Sequence, residues 1–170
     1  MDGGVDTTEY ELYLLRHAHA GNPAHWTGAD TDRPLSAKGK GQAQRLGRFL
    51  ADRGVVPDSI VSSPRLRARQ TANLVADSLG VGVSVDERLA LSFDLAALAA
   101  LIDGAGGTSL MIVGHDPDFS ELAAALTGAA DLRLRKGALA RVDLALPVGP
   151  SCGILRWLLP VELLPDPGEP

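Results

Sequence analysis

The sequence predicts an α/β fold: a three-layer arrangement in which a mostly parallel central sheet carries helices on both faces. Three observations predict it. Short apolar runs alternate with longer amphipathic stretches along the chain. The runs Leu12–Leu15 and Leu110–Val113 are continuously apolar, as strands buried on both faces require. Helix start and stop residues flank the amphipathic stretches.

Each element follows in order. Leu12–Leu15 reads as the first strand. Residues 36–53 read as a helix, with Ser36 as N-cap and Gly54 just past the end. Its Leu46, Phe49 and Leu50 fall at helical spacing. Ser59–Val61 is the second strand. Ser63-Pro64 reads as an N-cap followed by proline in the first turn, opening a helix that runs to Leu79 and stops at Gly80. Val81–Val85 alternates as a strand, and Phe93–Ile102 forms the third helix. Pro117 opens a fourth helix after Leu110–Val113, ending near Gly128. Ala140–Leu144 and Ile154–Leu158 are two late strands joined by a Pro/Gly-rich turn. Leu91 and Phe93 are expected in the core, and Trp157 against the sheet.

The length of 170 residues fits one domain with a self-sufficient core, with residues 1–9 and 165–170 expected to be flexible tails. A single cysteine, Cys152, excludes an internal disulfide and the cysteine-based zinc patterns. Sixteen basic against 21 acidic residues give a net charge of -5. That balance speaks against a nucleic-acid or anionic-membrane partner. No signal-peptide or membrane-length apolar run occurs, so a soluble cytoplasmic protein is expected.

Against this acidic background, three strand ends carry unusual residues. Arg16-His17-Ala18-His19 follows the first strand, Ser62-Ser63-Pro64-Arg65-Leu66-Arg67-Ala68 the second, and Gly114-His115-Asp116-Pro117 the strand 110–113. In open parallel sheets ligands bind beyond the carboxyl ends of the strands. If these strands are neighbours, their tips bring two histidines and at least two arginines into one crevice. Such a crevice suits a phosphoryl dianion, because guanidinium forks match phosphate oxygens.

Leu-Arg-His-Ala at 15–18, Leu-Ser-x-x-Gly-x-x-Gln-Ala at 35–43, Ser-Ser-Pro-x-x-Arg-Ala-x-Gln-Thr-Ala at 62–72 and Val-Gly-His-x-Pro at 113–117 appear in order. This pattern closely resembles the histidine phosphatase superfamily, with its phosphoglycerate mutase-like fold, and within it the short SixA-like phosphohistidine phosphatases. The stretches 135–142 and 155–157 also look like this branch. The resemblance implies that His17 is the nucleophile, that Arg16 and Arg67 bind the phosphoryl oxygens, and that His115 faces the same group. Arg67 rather than Arg65 fits, because it directly precedes Ala68.

The chemistry agrees with the resemblance. Phosphoryl transfer depends on positioning and charge stabilisation, which arginine and histidine supply, so no cofactor or metal is expected. The sequence departs from the larger members, however. Their Arg-Leu-x-Glu acid matches Arg88-Leu89-Ala90-Leu91, which puts Leu91 where the glutamate would stand. The resemblance to the short branch, which carries an acidic residue at this position, implies Asp30 as the first candidate for the proton donor, ahead of Asp32 and Glu87. A missing acid matters less for a P–N bond than for an ester. The segment between Arg67 and His115 also leaves no room for a large lid. The favoured substrate is therefore phosphohistidine on a protein, such as a histidine phosphotransfer domain. A small-metabolite phosphomonoesterase is the alternative, and a non-catalytic phospho-ligand binding module is a further one.

Overall fold

The structure is a computed structural model that describes residues 10–165. The expected tails at 1–9 and beyond Pro165 lie outside the described residues. Among the described residues, besides short 3-10 turns, six strands and four α-helices make the fold: β1 (Tyr10–Arg16), α1 (Ala37–Asp52), β2 (Ser59–Ser62), α2 (Leu66–Leu79), β3 (Val83–Val85), α3 (Leu95–Gly104), β4 (Ser109–Gly114), α4 (Asp118–Thr127), β5 (Leu139–Leu144) and β6 (Gly153–Leu159). The sheet order is β3-β2-β4-β1-β5-β6. The first four strands in that order are parallel, β5 runs antiparallel to β1, and β6 pairs antiparallel with β5. The expected α/β class and mostly parallel sheet are therefore what is observed.

Alternation along β1 explains the two-sided core. Leu12 and Leu14 face one layer with Ile112, Phe119 and Leu122, beneath α3 and α4. Tyr13 and Leu15 face the other with Met111, Val113, Leu46, Leu50 and Val75, beneath α1 and α2. Each of these leucines contributes about 1.5–3 kcal/mol by leaving water. No helix among the described residues is long and apolar enough to cross a membrane.

The caps explain the element ends. Ser36 accepts the Gly39 amide at 3.1 Å, so α1 starts where its sequence says. Gly80 ends α2 and Gly128 ends α4, both in the left-handed conformation. Asp94 caps α3 by accepting the Ala97 amide, which moves that helix start two residues past Phe93.

Two expectations fail. α2 does not begin at Pro64: Arg65 is extended (ψ 134°), and the first helical residue is Leu66. Ser63 still accepts the Arg65 amide at 3.3 Å, but its hydroxyl is chiefly committed across the sheet, as described below. Leu91 is not in the core. It is 69 % exposed, because it is the extended residue that ends a 3-10 turn at Glu87–Ala90. Phe93 is buried against Phe119, and Trp157 packs on Tyr13, as expected.

Candidate active site

The parallel register β2-β4-β1 sets the tips of three strands side by side. Ser62 pairs with Val113, and Arg16 pairs with Gly114. The residues that follow, Ser63, His115 and His17, therefore meet at one edge. His17 and His115 lie with ring centroids 5.3 Å apart. Backbone bonds hold the junction: the His17 amide donates to the Gly114 carbonyl at 3.0 Å, and the Ser63 amide to the Val113 carbonyl at 2.9 Å.

The state of His17 follows from its surroundings. Its Nδ1 lies 2.7 Å from the Ala18 carbonyl. A carbonyl only accepts, so Nδ1 carries the hydrogen and Nε2 of the neutral ring keeps a lone pair. Burial is the main force against protonation, and the charges of Arg67, Arg16 and Lys136 add to it. Together they outweigh the Ala18 bond and push the His17 pKa down to about 3. His115 is likewise pushed down to about 3, first by burial and then by His17, Arg67 and Arg65. Its Nε2 is 2.7 Å from the Ser63 hydroxyl, which fixes the ring plane. Sequence reasoning treats Ser63 as a helix cap. In the fold it is the positioning partner of His115, and only the adjacency of β2 and β4 could reveal that.

The cations come from separate elements. Arg67, in the first turn of α2, is almost wholly buried. The Thr71 hydroxyl donates to the Arg67 carbonyl at 2.7 Å and accepts the Ala18 amide at 3.1 Å, so one side chain ties α2 to the residue after His17. Arg16 donates to the Leu134 carbonyl at 2.8 Å and lies 3.4 Å from Asp116. α1 supports the same loop from below. Gly39 sits where a Cβ would collide with the His19 carbonyl, which accounts for glycine there.

Asp30 sits at the junction of three arginines. Its carboxylate accepts from Arg33 Nε at 3.0 Å and from Arg67 at 3.0 Å, and it lies 3.6 Å from Arg65. Its carbonyl takes a second bond from Arg67 at 2.7 Å. Each terminal nitrogen of Arg67 carries two hydrogens, so one on each is left for an oxyanion. The Arg33 hydrogen bond, with help from Arg67, holds the Asp30 carboxyl below the usual carboxylate range despite partial desolvation. Arg33 is buried and also donates to the Ala20 carbonyl at 2.7 Å.

The structure thus brings together His17, Arg16, Arg67, His115 and Asp30. Asp32 and Glu87 are exposed and, among the described residues, enter no ion pair or side-chain hydrogen bond. His19 lies at the margin, its Nδ1 2.7 Å from the Ser36 hydroxyl. Sequence reasoning passes over Arg33 and Lys136. The Arg-Lys-Gly run at 135–137 is the one signal that could have pointed to the second.

The model of histidine phosphatase superfamily branch 1 matches residues 12–90. An uncharacterized protein of Picosynechococcus sp. is 36% identical over 171 residues, covering 88% of this chain and 99% of its own length. Among solved structures, a candidate phosphohistidine phosphatase SixA from Agrobacterium tumefaciens is 26% identical. It superposes with a TM-score of 0.74 over 89% of this chain and 97% of its own. The protein histidine phosphatase SixA complexed with tungstate shares the fold, with a TM-score of 0.75 at 23% identity over 89% of this chain and 97% of its own. The chain belongs to the histidine phosphatase superfamily, in its SixA-like branch.

Proposed function

We propose that this phosphatase removes the phosphoryl group from phosphohistidine on a protein, through a covalent phosphohistidine on His17. The observation that carries the reading is His17 itself. It is buried, neutral, donates Nδ1–H to the Ala18 carbonyl, and is flanked by His115, Arg16 and Arg67.

In the first step His17 Nε2 attacks phosphorus in line. The bond from phosphorus to the substrate imidazole breaks, and its electron pair goes to that ring nitrogen. When the substrate ring carries a proton on its other nitrogen, it leaves as a neutral imidazole. Arg16 and Arg67 take the non-bridging oxygens, and His115 faces the developing charge. In the second step water attacks the phosphorus on His17, inorganic phosphate departs, and His17 returns to its neutral form. Arginine supplies the positive charge throughout, so turnover is expected to persist with a chelator present.

The substrate preference rests on the proton donor. Leu91, at the position of the larger members' glutamate, is exposed and apolar. Asp30 lies in the site, yet a carboxyl held ionised by Arg33 and Arg67 is a poor acid at neutral pH. We assign it the positioning of Arg67 instead. A site without a ready acid favours a P–N bond over an ester, whose alkoxide must be protonated as it leaves. The test is a paired turnover assay, with chelator, on a phosphohistidine-bearing protein and on simple phosphate esters. Higher kcat/KM on the phosphohistidine supports the reading, and ester turnover far above it sinks the reading. Asp30→Asn should slow both substrates alike, and selective loss of ester turnover would restore Asp30 as the acid.

A further inference from the structure

The charge around His17 is asymmetric. On the side of β4 and β2, the arginines face carboxylates. Asp30 lies against Arg33, Arg65 and Arg67, and Asp116 against Arg16. On the other side of β1 lies β5, which runs antiparallel to it, so the chain enters β5 at the edge where β1 delivers His17. The entering segment is pinned there. The Gly137 amide donates to the carbonyls of both Arg16 and His17, at 3.1 and 3.0 Å, and the Arg16 amide donates to the Ala138 carbonyl at 3.1 Å. Gly137 has a φ of 78°, a conformation that glycine adopts without strain. These bonds hold residue 136 directly beside the nucleophile.

Residue 136 is a lysine, only partly exposed. Among the described residues it makes no ion pair and no side-chain hydrogen bond. Its charged neighbours are Arg16, Arg33 and Arg67, all cations, and with burial they lower its pKa from the ordinary value for lysine. A half-buried ammonium among like charges is unfavourable unless an anion joins them. The two carboxylates nearby already serve the arginines.

We infer that Lys136 is a further phosphoryl-binding residue, donating to an oxygen of the transferring group from the β5 side, opposite His115. The inference rests on the His17 reading above. It gives the site a cation on each flank of the nucleophile, so that the phosphoryl oxygens are held from two sides during in-line attack.

Binding of inorganic phosphate and of tungstate, measured by calorimetry, tests the assignment without depending on turnover. Lys136→Met should weaken both by about tenfold or more, the scale of one charge-assisted hydrogen bond. Lys136→Arg should recover most of the loss, and both variants should melt like the parent protein. A folded Lys136→Met that binds both anions like the parent overturns the assignment, and so does a Lys136→Arg as weak as Lys136→Met. If the parent protein binds and turns over while Lys136→Met is unaffected, only the lysine assignment fails. If the parent protein neither binds phosphate nor turns over, the His17 reading fails with it.

Discussion

Among the described residues, two aspartates are each held by more than one arginine, and the two clusters differ in balance. Asp143, on β5, is buried and paired with Arg141 and Arg156, while Arg141 also reaches Glu11 at 3.0 Å. Among the described residues, the two cations there meet two carboxylates, Asp143 and Glu11. Asp30 is half exposed and meets three arginines. With Arg16 and Lys136, five cations around the crevice meet two carboxylates, Asp30 and Asp116. A balanced cluster satisfies itself and serves packing. An unbalanced one lowers the proton affinity of nearby histidines and leaves donors for an anion. The same residue types make a brace in one place and a candidate site in the other, and the excess of charge separates them.

The largest effect that sharpens this contrast is His17→Ala. It should cut turnover by roughly 10⁶-fold, the scale of a lost catalytic nucleophile, and leave the melting temperature near that of the parent. Unchanged turnover would end the proposal. Arg67→Ala comes next, with an expected loss of about 10²–10³-fold in kcat/KM, in line with deleting one preorganised electrostatic donor. A loss confined to thermal stability would move Arg67 into the same class as Arg141.

The balanced cluster should give the opposite pattern. Asp143→Ala leaves two arginines without their shared partner, and both reach solvent in part, so a cost of about 1–3 kcal/mol is expected rather than that of a fully buried pair. Its kcat/KM should stay unchanged, and denaturant unfolding beside steady-state assays checks both.

The clusters also separate by pH. His17 and His115 bind a proton more weakly folded than unfolded, so the unfolded chain takes up more protons between about pH 6.5 and pH 3. Stability should fall as pH falls through that window, by at most about 1.4 kcal/mol per pH unit for each histidine. The arginines hold Asp143 below its ordinary 3.8 against the cost of its burial, so its contribution is present above that value and is lost only as pH falls further. Replacing both histidines with asparagine should flatten the stability curve between pH 6.5 and 4. A curve unchanged by that double variant would contradict the neutral, buried state of the pair.

Much of the fold was legible because its signals are local. Ser36, Gly80 and Gly128 mark helix ends through bonds to residues within one turn, and the apolar runs at 12–15 and 110–113 report burial on both faces. The errors arose where a residue answered to something distant. Ser63 looked like a cap because it precedes a proline, yet its hydroxyl is committed to His115, 52 residues away in the chain. Leu91 looked like core by its side chain alone, but the turn before it sends Leu89 into the core and leaves Leu91 exposed.

The site divides in the same way. The sequence by itself determined the α/β class and the strand ends after which Arg16, His17, Arg67 and His115 stand, because spacing and side-chain chemistry act along the chain; the choice of Arg67 and Asp30 came from the family resemblance. The tertiary structure alone decided that Asp30 is clamped by arginines, that His17 is neutral with Nε2 free, and that Lys136 stands beside it. Those facts depend on desolvation and on charges brought together from β1, α2 and the entry to β5, and such energies exist only once the chain has closed around them.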